Sequence, residues 1–285
     1  MNRKTDRLAA QSDLILGKKR MHSTAISACI ICFNEEQNIR RCLESCKWVD
    51  EIIVVDSMSQ DRTLEIARQY TDKIYEKEWP GYVDQKNFAL SKASGEWVLS
   101  IDADEEISGD LQDEIRREIQ KKEPKDAYKM PRLSFYQGRW IRHSGFYPDR
   151  KLRLFRRNKG CWVGKRVHER IQVDGQIGLL KSDLLHYPYE GVISGQVQAE
   201  NSFSDLLAQN IYEQGKRYRL PLLLFRPLFK FIEVYFIKLG FLDGFAGFII
   251  AVTSAYAMFL RYVKLRELER VKANEAIGES SPHPD

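Results

Sequence analysis

The chain has 285 residues, 43% hydrophobic and 30% charged, with 45 Lys and Arg set against 40 Asp and Glu. That balance excludes a disordered or collagen-like chain, and the negative mean hydropathy excludes a polytopic membrane protein. The net charge of +5 conceals a segmental pattern: residues 1–128 carry 20 basic and 25 acidic side chains, residues 129–170 carry 13 and 2, and residues 214–266 carry 9 and 2. Two basic blocks alternating with acidic ones attract anionic partners.

Residues 1–24 are polar and aperiodic and are expected to form a flexible arm; they lack the uninterrupted apolar run of a secretory signal. Residues 26–32 are a continuous, β-branched run suited to a buried parallel strand. Helical spacing at Ile39, Leu43 and Cys46 follows, then a second buried strand at 51–56 and a helix at 61–70. A short strand lies within 72–79, a helix at 84–93 closes on Ser94-Gly95, and a fourth strand spans 96–102. Residues 108–122 read as an amphipathic helix with a Ser or Asp cap, ending before Pro124. Strand and helix thus alternate as in an open α/β sheet with right-handed crossovers. From Ala127 to about Tyr187 short aromatic and basic pieces with turns predict mixed or antiparallel strands that extend the sheet.

Five cysteines make an odd count. Cys29 and Cys32, three apart on a strand, face opposite ways and cannot share a metal. Cys42 and Cys46 have helical spacing but no second pair to complete a site. All five are expected to be buried, reduced and structural, in a cytosolic compartment.

Beyond residue 195 the pattern is helical. Between Lys238 and Arg261 lie 22 residues with one charge, Asp243, a stretch long enough to span a bilayer. Asp243 and three glycines weigh against a span, while Lys and Arg at 216, 217, 219, 226, 230 and 238 alternate with apolar clusters. That alternation suits helices lying in the interface of an anionic membrane. A buried helical pair is the plainer alternative. The expected organisation is an arm at 1–24, a catalytic domain at 25–195, a membrane-associating helical region at 196–270 and a disordered tail at 271–285.

In open α/β sheets ligands bind beyond the carboxyl ends of the strands. Three such ends are acidic here: Asn34-Glu35, Asp56 to Asp61, and Asp102-Ala103-Asp104-Glu105. Converging carboxylates need compensation, and a divalent cation with oxygen ligands supplies it. No glycine-rich dinucleotide fingerprint follows the first strand, and no phosphate-binding GxxxxGK[ST] loop is present.

The runs ISACIICFNEEQNIRRCLESCKWVDEIIVVDSMSQDRTLEIA (26–67) and DQKNFALSKASGEWVLSIDADEEI (84–107) resemble the inverting family-two glycosyltransferases of the GT-A fold. Within that family the chain is most similar to bacterial lipopolysaccharide-core β-1,4-glucosyltransferases. The resemblance implies a Rossmann-like α/β sheet flanked by helices, a UDP-sugar donor, and Mg²⁺ or Mn²⁺. It implies that Asn34 and Glu35 belong to the first nucleotide-binding loop, that Asp56 meets the uracil, and that Lys86 lies near the donor phosphates. Asp102 and Asp104 match the DXD motif, Asp102 toward ribose and metal, Asp104 as a direct metal ligand. Residues 55–63 read VDSMSQDRT where the family often has VDDGSTDGT, so Ser57 replaces the second Asp and both glycines are gone.

Inverting transfer needs a general base and no enzyme nucleophile. The family places that base in an acidic pair after a glycine-bearing loop, which maps onto Glu169 behind residues 158–164; pairing with Arg166 or Arg170 is the plainer reading of Glu169. His186 resembles the histidine that completes metal coordination in many GT-A enzymes, although a lone histidine is more often a core residue. His22, His143 and His283 have no assigned role, and His168 either orients the acceptor or packs.

The basic block, with Arg132, Arg139, Arg142, Arg150, Lys151, Arg153, Arg156 and Arg157 among aromatics, suits a phosphorylated glycolipid acceptor. A solvated sheet face with structural arginines is the alternative, and no nucleic-acid-binding motif is present. The expected location is the cytoplasmic face of the bacterial inner membrane, with peripheral or monotopic attachment. A polyprenyl-phosphate glycosyltransferase and a non-catalytic sugar-nucleotide-binding protein are the competing functions.

Overall fold

A computed structural model describes residues 24–164, 169–188 and 193–279. Four parallel strands, β1 (Ile26–Cys32), β2 (Glu51–Asp56), β3 (Ile74–Glu76) and β4 (Trp97–Asp102), form one half of a mixed sheet. The helices between them are α1 (Ile39–Ser45), α2 (Thr63–Ala67) and α3 (Tyr82–Lys92). After β5 (Glu105–Ile107), α4 (Gly109–Ile119) begins at Ser108, whose hydroxyl accepts the Leu111 amide at 3.2 Å as an N-cap. The other half contains β6 (Ala127–Tyr136), β7 (Arg139–Ile141), β8 (Asp149–Arg156), β11 (Ile177–Leu179) and β12 (Leu184–His186). The strand order is β3-β2-β1-β4-β8-β6-β12-β5, with β7 and β11 also on β6. The hairpin of β9 (Gly160–Val163) and β10 (Arg170–Val173) lies apart from the main sheet.

Both faces of the parallel strands are covered, which explains their unbroken apolar runs. Ala28, Ile30 and Cys32 enter one core layer with Leu43, Leu99 and Tyr128. Cys29 enters the other with Ile53, Val98 and Phe155. The two cysteines do face opposite ways. Burial pushes both thiols well above the usual cysteine range. Cys161 departs from expectation: it is exposed, because β9 belongs to a hairpin without a sheet neighbour on that side.

The C-terminal region consists of α5 (Ile193–Glu213), α6 (Leu220–Ile232), a π-helical turn (Glu233–Ile237), a 3₁₀ turn (Gly240–Asp243) and α7 (Gly244–Glu279). A Cβ on Gly247 would sit 1.8 Å from the Gly240 carbonyl oxygen, so only glycine permits that tight return. The helix runs to Glu279, so the tail expected to be disordered from residue 271 begins as a continuation of α7. Tyr136 and Ile141 of the sheet pack with Val234, Ala246, Ile250 and Ala251.

Asp243, the one charge that weighs against a span, anchors the helical region to the sheet. Its buried carboxylate accepts the amides of Arg142 (3.2 Å) and His143 (3.0 Å) and the Ser144 hydroxyl (2.8 Å), and it meets His143 Nδ1 at 3.1 Å. The Ser144 amide donates to the Lys238 carbonyl at 2.9 Å. His143, without a role in the sequence, thus joins the sheet to the helices.

Candidate active site

A cavity of about 1200 Å³ opens beyond the carboxyl ends of β1 and β4 and extends under β6, β8 and the β9–β10 hairpin. Its walls include Glu35, Ser57, Lys86, Asp102, Asp104, Glu169 and His186. Residues expected from distant parts of the sequence therefore share one space.

The first two loops are bound to each other. Asn34 adopts φ 53°, a left-handed conformation that asparagine tolerates, and its side-chain oxygen accepts the Gln60 amide at 2.8 Å. The Asn34 amide donates to Ser59 Oγ at 2.8 Å and the Glu35 amide to Thr63 Oγ1 at 2.7 Å. Asp56 is fully buried and accepts the Ser59 amide at 2.8 Å. Asn34 and Asp56 hold the loops, whereas Glu35 and Ser57 line the cavity. Gln85, absent from the sequence reading, is fully buried and donates to Ser57 Oγ at 3.0 Å. Its position in α3, two helical turns before the closing Ser-Gly, carried no motif to reveal it.

Asp102 closes β4 between two cations. Lys86 Nζ lies 2.9 Å from its Oδ1, and Arg153 bonds its Oδ2. Burial would raise the Asp102 pKa, but Arg153 and Lys86 outweigh it and hold the carboxyl well below the usual range. Arg153 also reaches the buried Glu105 at 2.7 Å, and Arg132 joins Glu105 (3.3 Å) to Asp149 (2.7 Å). A chain of alternating charges thus runs Lys86–Asp102–Arg153–Glu105–Arg132–Asp149 across four strands. Arg153 and Arg132 were grouped in sequence with an acceptor-facing block; the structure corrects this, because their guanidinium groups neutralise carboxylates inside the protein. Arg156 is likewise taken by Glu96.

Asp104 turns the other way. Its Oδ2 lies 3.2 Å from His186 Nε2, while His186 Nδ1 lies 2.9 Å from Ser134 Oγ. Ser134 and His186 are register partners on β6 and β12, which fixes the imidazole toward the cavity. With Nδ1 engaged by a hydroxyl, Nε2 can present its lone pair beside a carboxylate, a donor set that fits a divalent metal. Among the described residues no third His, Cys, Asp or Glu joins them.

Glu169 reaches the same cavity from just before β10, and among the described residues its buried Oε2 has no hydrogen-bond partner. Arg166 and His168, named as neighbours of Glu169 in the sequence, fall outside the described residues. Tyr82 senses the group: burial raises its hydroxyl pKa, and the charges of Glu169, Asp102 and Asp104 push it further. Lys86 also lies 4.3 Å from the Trp162 ring centroid, which sets its ammonium against the hairpin.

Residues 27–183 match the family model for glycosyl transferase family 2. The chain belongs to glycosyltransferase family 2. It is 33% identical to the lipopolysaccharide core biosynthesis glycosyltransferase LpsC of Rhizobium meliloti over 90% of this chain and 98% of that protein. It is also 37% identical to an uncharacterized glycosyltransferase of Rickettsia typhi, over 87% and 89% of the two chains. Among solved structures, S. aureus TarS residues 1–349 in complex with UDP-GlcNAc shares 17% identity, covers 88% of this chain and 92% of that one, and has a TM-score of 0.42. The protein is therefore a glycosyltransferase, and its mixed sheet with flanking helices is the GT-A architecture expected from the sequence.

Proposed function

We propose that the enzyme transfers a sugar, glucose being the first candidate, from a UDP-sugar to a saccharide of a lipid-anchored acceptor of the lipopolysaccharide-core type, with inversion. The observation that carries this reading is the buried Glu169 Oε2, without a partner among the described residues, in the cavity that also holds Asp104, His186, Lys86 and Asp102. A buried carboxylate oxygen with no donor is costly unless a substrate hydroxyl supplies one. Glu169 then accepts the proton of the acceptor hydroxyl as its oxygen attacks the anomeric carbon and UDP departs on the opposite face. The loop positions Glu35 and Ser57 receive the nucleotide, with Asn34 and Asp56 fixing both loops in place.

Asp104 and His186 are the residues that would hold Mg²⁺ or Mn²⁺, leaving the remaining positions to diphosphate and water. When bound, such an ion stabilises the charge that develops on the leaving diphosphate. Asp102, held ionised between Lys86 and Arg153, keeps Lys86 oriented at the donor end.

The same reading includes attachment to an anionic membrane surface at the cytoplasmic face. Helices α6 and α7 and the π-helical turn between them expose Phe225, Leu228, Phe229, Phe236, Ile237 and Phe245, more large apolar side chains than a surface usually leaves to water. Helix α7 is long and apolar enough to cross a bilayer by length and composition. Its polar contacts support lying in the interface instead. Thr253 accepts from Gln196 at 2.8 Å, and Lys264 reaches Asn201 and Asp205 on α5. Crossing the bilayer would strip these groups of partners.

The test is transfer by the full chain from radiolabelled UDP-glucose to core-truncated lipopolysaccharide, expected to be abolished by EDTA. Glu169→Gln is expected to lower kcat by about 10²–10⁴-fold with UDP affinity retained. Undiminished turnover in Glu169→Gln would remove the base and favour a phosphate acceptor, which hardly needs one. Absence of transfer or donor hydrolysis with every UDP-sugar tried would sink the enzymatic reading.

A further inference from the structure

The basic block of residues 129–170 divides in the folded chain. Arg132, Arg153 and Arg156 are consumed by internal carboxylates. Arg139 donates to the Leu242 carbonyl of the helical region, and Arg142 turns to Asp183. Four cations remain on the cavity wall: Lys129 of β6, Arg150 and Lys151 of β8, and Arg170 of β10. Among the described residues Lys129 and Arg170 meet no carboxylate. Arg150 donates only to the Leu180 carbonyl, at 3.4 Å. Lys151 reaches Asp149 at 3.1 Å, but that carboxylate already neutralises Arg132. Among the described residues, one wall of the cavity therefore carries positive charge without a matching carboxylate.

Lys129 stands on β6, three positions from β1 in the order β1-β4-β8-β6, about 14 Å at the usual strand spacing. Arg150 and Lys151 stand on β8, between β6 and the β4 strand that ends at Asp102. The cavity volume of about 1200 Å³ also exceeds the roughly 300–1,000 Å³ typical of a site for one small molecule. Beside the cations stand the exposed side chains of Ile177 from β11 and Phe203 from α5, so this end opens toward the helical region.

We propose that Lys129, Arg150, Lys151 and Arg170 form an anion subsite that grips a phosphate or carboxylate substituent on the acceptor saccharide. The enzyme thereby selects anionic acceptors over neutral ones. The proposal rests on the glycosyl-transfer reading of the same cavity and adds to it the chemical class of the acceptor. Arginine forks and lysine ammonium groups both bind such anions, and a partly enclosed wall strengthens the contact relative to open solvent.

The test titrates the full chain, saturated with UDP to fill the diphosphate site, with mannose 6-phosphate, mannuronic acid and mannose, followed by NMR. At least one of the two anionic sugars is expected to bind about tenfold or more tightly than mannose. Phosphate preferred over carboxylate, or the reverse, identifies the substituent. The preference should fall to within about twofold in Lys129→Gln/Lys151→Gln and, separately, in Arg170→Gln. The variants should keep UDP affinity and melting temperature, which shows that they fold. Equal affinity for mannose, a preference that survives in both variants, or no binding of either anionic sugar up to roughly 50 mM overturns the subsite. An anionic preference in a chain that transfers sugar to no acceptor leaves the subsite standing and removes the enzymatic reading. Transfer to neutral and anionic acceptors with equal KM does the reverse.

Discussion

The sheet and the helical region use the same apolar side chains in opposite ways. In the sheet Trp97, Tyr128 and Phe155 are almost completely buried between layers. In the helical region Phe225 and Phe245 are 67% and 75% exposed. The surface between α5 and α7 instead holds Gln196, Thr253, Asn201 and Lys264. Under the proposed membrane attachment, the first region faces water and the second an apolar medium. Burial then follows the surroundings of each surface, and an exposed phenylalanine that would be a defect in one half is a contact in the other.

This contrast can be broken by substitution. Phe155→Ala, in the centre of a sheet layer, is expected to destabilise the chain by about 4 kcal/mol, read by chemical denaturation. Asp243→Ala is expected to cost about 3 kcal/mol, because two backbone amides and the Ser144 hydroxyl lose their acceptor. Limited proteolysis should then release the helical region, and an unchanged cleavage pattern would show that Asp243 is dispensable.

Glu51 sharpens the comparison on the sheet side. It accepts the Ser94 amide at 2.8 Å and also bonds Ser27 and Lys73. Burial opposes ionisation, but Lys73, Ser27 and Ser94 together lower its pKa to about 2. A carboxyl depressed on folding contributes stability above its unfolded pKa and loses it as pH falls through the folded value. Glu51→Gln should therefore cost about 1–2 kcal/mol at neutral pH. The gap to wild type should close between the ordinary carboxylate range and about pH 2; a gap independent of pH would exclude this linkage.

The smallest effect belongs to the helical surface. The double variant Phe225→Ser/Phe245→Ser should change unfolding free energy by no more than about 0.5 kcal/mol. Its co-sedimentation with vesicles of anionic phospholipid should nevertheless fall severalfold. Equal sedimentation would leave the apolar face without its proposed use.

The parallel half of the fold was legible because each strand is a continuous apolar run and each helix keeps its periodicity. The acidic strand ends stood out as charges where the pattern turns polar, whereas Glu169 was reached through the family resemblance. The pairing among charges was not legible. Arg153 finds Asp102 and Glu105 from 51 and 48 residues away. On a basic strand it looks no different from Lys151, which stays at the cavity. Only the register of β4 against β8 and β6 decides which cation is spent inside. The anchoring role of Asp243 was illegible for the same reason: its partners lie about 100 residues upstream, and in sequence it is only a charge that weighs against a span.

The Asp243 contact sets a dimension as well as a stability. Because Asp243 clasps the amides of residues 142 and 143 directly, the helical region is fixed to the sheet at that contact. Under the proposed membrane attachment, the protein stands on its apolar surface like an instrument on a fixed mount, with the reach from that surface to Glu169 set by packed side chains. Acceptors would then be sorted by height as well as by chemistry: a saccharide too short or too long would miss the reacting position even where every contact to it were available.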